Sequence, residues 1–373
     1  MNISINRRQF LGFMLASGFA PNIFARPHAQ HEYWISAQGN RDDRYGLTRF
    51  DASGNRIDTT LSGFRGHGSA QHPLRPSSVI MFSRRPGTHA IDIDVTSGEV
   101  VAEFHARADR CFTGHGCFSQ DGKLLYTVEA DIHTGEGKIV IRDSHSYRQL
   151  GEFDSYGIGP HQMLLMPDGK TLVVANGGIL TRPETGRKKL NLDSMISSLA
   201  YIDSRNGQCV DQQYVAESKA SIRHLDVADD GTVAIAMQVQ RSAMQGKHTV
   251  ALGAVHKPGN NLRLLQQPEG VIRHMNDYAG SVTINNRTRV VGFTSPKGNL
   301  AAFWHLDSGA FAAYHQFADV CGLTVSADRK HFVLSNSFGA LRLLDASTLK
   351  ENRAARKTFA DTHWDNHMIT VTL

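Results

Sequence analysis

The sequence predicts an all-β fold, a seven-bladed β-propeller with four-stranded blades, one blade being closed by strands from the two ends of the chain. Three observations carry this prediction. A strand that ends in Asp and turns through Ser or Gly recurs along the chain, as in Ile93-Asp94-Val95-Thr96-Ser97-Gly98 and Ile202-Asp203-Ser204-Arg205-Asn206-Gly207. A second set of turns, Asp121-Gly122, Asp168-Gly169, Asp230-Gly231, Asn285-Asn286 and Asp328-Arg329, separates pairs of short β-rich runs. Five copies place a histidine just before an apolar run: His72, His115, His161, His224 and His367.

The elements follow in chain order. Glu32 to Ala37, Gly46 to Phe50 and Arg56 to Leu61 read as three strands that lack an innermost partner. The strand-ending markers then fall at Asp51, Asp94, Asp143, Asp203, His256, Asp307 and Asp345, with intervals of 43, 49, 60, 53, 51 and 38 residues. These intervals bracket the ~40–50 residues of a propeller blade, so seven markers imply seven blades. His367 to Leu373 reads as a lone innermost strand that completes the blade begun at Glu32, and closure of this kind removes the open sheet edge.

Ahead of the repeats, Asn6-Arg7-Arg8-Gln9-Phe10-Leu11-Gly12 leads into an uncharged apolar stretch that runs to Ala25. Arg7 and Arg8 followed by such a stretch have the layout of a twin-arginine export signal, and roughly 15 apolar residues fall short of the ~20 that span a bilayer. The expected organisation is therefore a signal over residues 1–29, cleaved near Ala25 or Ala29, and one periplasmic propeller over residues 30–373 with no transmembrane segment. The net charge of +5 over 373 residues is mildly basic and argues against a nucleic-acid partner. The chain has no Gly-x-Ser-x-Gly elbow, Walker loop, Rossmann fingerprint or Cys-x-x-Cys pair, so hydrolase, nucleotidase, dehydrogenase and zinc-ribbon readings have no starting residue.

Met166-Pro167-Asp168-Gly169-Lys170-Thr171-Leu172-Val173-Val174-Ala175-Asn176 resembles the repeat of YVTN-type and WD40-like seven-bladed propellers. Together with Arg7-Arg8, the Gly-Pro-His161 and Gly-His115-Gly turns and the full-length repeat, the chain also resembles a bacterial family of exported propellers of unknown function. Members of that family tend to accompany imelysin-type iron proteins. The resemblance implies a link to iron acquisition, with periplasmic iron-uptake proteins as partners, and supplies no catalytic residues.

In a propeller, the innermost strands line a central channel and ligands sit at its mouth. His72, His115, His161, His224 and His367 are expected there, with Cys321 at the equivalent place in blade six and a gap near Ala279 in blade five. Neutral imidazole with a thiolate beside it suits copper, zinc or iron. Opposite walls of a seven-bladed channel are expected to stand too far apart for one ion, which favours His115, His161 and His224 from consecutive blades. The alternative is structural: each histidine pins its blade through a bond to a backbone carbonyl.

Loops joining the second and third strands carry Arg84, Arg85, Arg182, Arg187, Lys188 and Arg241, which points to an anion-bearing ligand such as a metal chelate or the propionates of haem. The insertion from Gly177 to Ile196 could cover it as a lid. Cys111 and Cys117 are close enough in sequence to be bridged or to share a metal, Arg223-His224 and Arg273-His274 are local echoes of one another, and His363 reads as structural. The leading expectation is a non-enzymatic periplasmic protein that binds iron or an iron-containing anion. A metal-dependent oxidoreductase and an interaction platform with structural histidines are the alternatives.

Overall fold

A computed structural model describes residues 31–39, 44–52, 56–186 and 188–373 of the chain. Arg7, Arg8, the expected cleavage positions and Arg187 lie outside the described residues.

Seven four-stranded antiparallel sheets form the blades. Numbered from one to seven, their innermost strands are Gly66–His72, Arg110–Phe118, Pro160–Leu165, Ala220–Val227, Ser281–Asn285, Val320–Val325 and Trp364–Thr372. Each of these strands touches the next, and the seventh returns to the first, so the ring is closed. In blade seven the order is Trp364–Thr372, Glu32–Gln38, Gly46–Asp51, Arg56–Leu61. The joint between the two ends is an antiparallel ladder that pairs Tyr33 with Val371, Trp34 with Thr370 and Ile35 with Ile369.

The recurrent aspartates have a physical role in the outer turns. Asp143 accepts bonds from the amides of His145 and Ser146, and Asp345 from those of Ser347 and Thr348. These backbone donors, Ser146 and Thr348 first, hold both carboxyls below the usual carboxylate range. In blade four, His256 takes the place of the aspartate and donates Nε2–H to the Asn260 carbonyl at 2.9 Å.

Apolarity grades outward through each blade. Second strands such as Thr171–Asn176 and Val290–Ser295 are buried almost throughout because blades cover both their faces. Fourth strands such as Glu99–His105 and Phe311–Gln316 form the rim and are largely open to solvent. Between blades three, four and five, Val173, Tyr201, Ile235, Phe293 and Trp304 pack into one continuous core, and each fully buried side chain of this size stabilises the fold by ~1.5–3 kcal/mol.

The innermost strands are irregular at one level. Gly66 and Ser69 pair with Ser83 and Met81, so three steps on the inner strand meet two on its neighbour. Comparable bulges separate Phe112 from Gly116, Pro160 from Met163, Ile222 from His224, Val320 from Leu323 and Trp364 from Met368. Only the inner strand of blade five pairs without a shift.

Candidate metal centre

A bulge re-aims a side chain, and these bulges aim histidines. His67, His115, His161 and His367 lie inside the extra segments of blades one, two, three and seven, and His224 directly follows the extra residue, Arg223, of blade four. Two of the five sit in identical triplets, Gly66-His67-Gly68 and Gly114-His115-Gly116. The glycines are required by the crossing of the rings. Gly114 has φ of +102°, and a Cβ there would stand 2.5 Å from His67 Cδ2, while a Cβ on Gly68 would overlap His115 Nδ1.

Nine of the ten pairs among the five imidazoles have ring centroids between 4.2 and 6.0 Å apart. Two triads emerge, His67 with His115 and His367, and His67 with His161 and His224, each with ligand nitrogens within 4.8 Å of one another. His67 is common to both.

Among the described residues, several of these nitrogens have no hydrogen-bond partner although they are buried: both nitrogens of His67, Nε2 of His115, Nδ1 of His161 and Nε2 of His367. Where partners exist they are side chains. His224 Nδ1 meets Gln162 Oε1 at 3.1 Å, and His367 Nδ1 meets Ser281 Oγ at 2.9 Å. Among the described residues, none of the five bonds a backbone carbonyl, so they do not pin their blades in the way the structural alternative supposed.

Burial drives the His67 imidazole down to about 3, although the carboxylate of Asp365 pulls the other way. His115, His161, His224 and His367 are also held well below their ordinary value, again chiefly by burial. All five are neutral at physiological pH, the form that ligates metal.

Asp365 stands behind His67, its Oδ1 3.6 Å from Nδ1, while Arg65 and Arg84 donate to the same carboxylate at 2.7 and 3.1 Å. A carboxylate behind a ligand histidine is the usual arrangement for orienting the ring.

A cavity of about 190 Å³ adjoins the cluster and is lined by His67, His161 and His224 together with Arg84, Arg85, Lys189 and Arg223. Among the described residues no carboxylate lines it. Arg84 is paired with Asp365, and Lys189 donates to Gln240. Arg223 is 5% exposed, and among the described residues it makes no ion pair and its Nε has no acceptor. Burial, with Arg85 nearby, pushes this guanidinium down to about 9.

The remaining expected residues lie elsewhere. Arg182 reaches the His133 carbonyl at 3.2 Å, Arg241 is neutralised by Asp277 at 2.6 Å, and Lys188 is exposed away from the cavity. From the long insertion, Ile179, Thr181, Gly186 and Lys189 contribute to the cavity wall.

Two expected ligands do not join the cluster. His72 closes the far end of the blade-one inner strand, where its Nδ1 accepts from the amides of Leu74 and Arg75 at 3.1 and 3.0 Å. His67, five residues earlier, takes its place. Cys321 lies within the bulge of blade six but packs with Trp34, Phe50, Trp364 and Met368, and burial pushes its thiol up, so it serves as a small apolar side chain.

The favoured set His115, His161 and His224 lies together in the cluster, with ring centroids 4.6 to 5.5 Å apart, and the bulges of blades one and seven bring His67 and His367 in beside it. Blade five contributes Ser281 rather than a gap at Ala279, through its contact with His367. Cys111 and Cys117 are free thiols, and His363 Nδ1 donates to the Ser337 carbonyl.

A third group, on the rim of blade one, joins His89, Glu103 and His105. His89 and His105 face each other across neighbouring strands with ring centroids 4.7 Å apart, and Glu103 lies 3.9 and 3.8 Å from them.

No curated protein sequence matches this chain. Among solved structures, Kuenenia stuttgartiensis hydrazine synthase is similar in fold, with a TM-score of 0.64, 15% identity, and coverage of 81% of this chain and 90% of that one. A likeness at this identity speaks for the propeller alone. The family model described as "Protein of unknown function (DUF1513)" matches residues 61–371, which takes in the seven inner strands except for Thr372 and all five clustered histidines, and the chain belongs to that family.

Proposed function

We propose that the protein binds a transition-metal ion through the channel imidazoles, with His67 as the ligand common to both triads. The carrying observation is the set of buried imidazole nitrogens without partners, since burying unpaired polar atoms costs free energy that a bound ion would offset. Neutral imidazoles without thiolate suit iron, copper or zinc. Within that set we place iron first, on the sequence resemblance to exported propellers that accompany iron proteins. The role that follows is a non-enzymatic accessory to iron acquisition in the periplasm, reached through the Arg7-Arg8 signal.

The test uses the full chain incubated separately with Fe(II), Cu(II) and Zn(II), desalted, and assayed for metal by mass spectrometry. Stoichiometric retention is expected, and it should vanish when His67, His161 and His224 are replaced together by Ala. Equal metal in the two proteins would defeat the proposal. Replacing Arg7 and Arg8 by Lys and following the chain by cell fractionation tests the export reading. The cavity beside His67, His161 and His224 favours a metal-dependent oxidoreductase as the second reading, which substrate-dependent turnover by the loaded protein would select.

A further inference from the structure

The cavity poses a charge problem that a metal ion alone makes worse. Arg84, Arg85, Lys189 and Arg223 contribute positive charge to its walls, and among the described residues no carboxylate lines it. Asp365, the nearest acid to the cluster, already serves Arg65 and Arg84 and faces His67. Arg223 is different in kind from a solvated surface arginine. It occupies the bulge of the blade-four inner strand, one residue before His224, and that bulge directs it into the protein. Leaving the Nε of a buried guanidinium without an acceptor is unfavourable, and sites of this sort are completed by an anion.

Resting on the metal-binding reading, we infer that the cavity holds a small di- or tricarboxylate, one carboxylate paired with the Arg223 guanidinium and another available to the ion on the imidazoles. The size agrees. A volume of about 190 Å³ leaves room for a small carboxylate and falls below the ~300–1,000 Å³ of pockets that enclose larger ligands such as a macrocycle. The geometry of recognition agrees as well, because a guanidinium fork matches a carboxylate through two parallel bonds. Lys189, on the long insertion, adds a second cation at the wall and remains partly solvated.

The experiment is calorimetric titration of oxalate and citrate into the full chain, first metal-free and then Zn(II)-loaded, with inorganic phosphate as the comparison anion. Carboxylate binding is expected in both forms and more tightly in the loaded one. Arg223→Gln should weaken it at least tenfold, and Lys189→Gln severalfold, with metal content unchanged in both.

Because Arg223→Gln removes an unpaired buried charge, its thermal midpoint should rise, which separates lost binding from lost folding. Carboxylate affinity within twofold of wild type in Arg223→Gln would overturn the inference. Phosphate binding more tightly than either carboxylate would overturn the assignment of ligand class. A chain that takes no metal yet binds carboxylate through Arg223 would sink the metal proposal and the carboxylate's bond to the ion, and would keep only the Arg223 anion site.

Discussion

The channel of this protein and the rim of its first blade each bring three metal-competent side chains within one ion's reach, in opposite physical circumstances. At the rim, His89, Glu103 and His105 are all about half exposed, and Glu103 can be hydrated or can move. In the channel, His67 is 4% exposed, Gly68 and Gly114 leave room for the crossing rings, and among the described residues its Nε2 has no hydrogen-bond partner. Proximity is common to both places, and unmet bonding in a fixed frame is found only in the channel. Preorganised ligands lose little freedom on binding, whereas exposed side chains must be ordered first. The difference teaches that distance alone is a poor guide to a site.

That contrast is open to attack, and the largest expected effect comes from the residue common to both triads. His67→Ala should lower metal affinity by more than the ~10–100-fold typical of losing an outer partner, while His89→Ala should change it by less than about threefold. Competition against a chromophoric chelator measures both, and equal losses would erase the distinction between the two regions. Asp365→Asn comes next, with affinity expected to fall ~10–100-fold because His67 loses the carboxylate that orients it. An unchanged affinity would mean that packing alone holds the ring.

The frame itself can be tested at Gly114. Alanine there meets both the positive φ and the His67 ring, so a loss of ~1–3 kcal/mol is expected in chemical denaturation. Gly270→Ala, at a helical position with open space around it, is the control and should not destabilise.

Acid sharpens the comparison further. His67 has its imidazole lowered from 6.5 to about 3, so below pH 6.5 the unfolded chain takes up a proton that the folded chain refuses. The stability of the metal-free protein should therefore be full above pH 6.5 and fall progressively as pH drops toward 3. Urea midpoints at a series of pH values would show this, and the slope should flatten when the channel histidines are replaced by Gln. The smallest effect is expected at Glu103, where Gln should alter stability by no more than ~0.5 kcal/mol; a larger shift in the melting curve would show that the rim triad is more than an accident of the surface.

The fold was legible because blades are made from local signals. Asp143 and Asp345 mark outer turns by bonds to amides two and three residues away, and Gly122 and Gly169 provide the positive φ that their turns need. The site was only partly legible. His115, His161, His224 and His367 could be aligned by the apolar run that follows each of them, but the same rule selected His72, whose neighbours are a turn.

What identifies His67 is the triplet Gly66-His67-Gly68, repeated at Gly114-His115-Gly116, a signal of close backbone approach that was present and carried more weight than the apolar run. Cys321 was misjudged because a bulge position says where a side chain starts, while the aromatic cluster around it decides what it can do. Arg223 looked like a sequence echo of Arg273. The bulge, which has no signature of its own, turns Arg223 inward, whereas Arg273 lies exposed on the short helix Glu269–His274.

The ladder that joins Glu32–Gln38 to Trp364–Thr372 gives the ring a seam, and one candidate ligand lies on each side of it. His367 belongs to the closing strand and His67 to the blade next to it, with their rings 4.6 Å apart. An ion shared by these two histidines would rivet the seam, so occupancy would report that both chain ends are in place. The fastening would be reciprocal: a chain stalled before its last strand would lack His367, and without an ion the seam would be held by its ladder and packing alone.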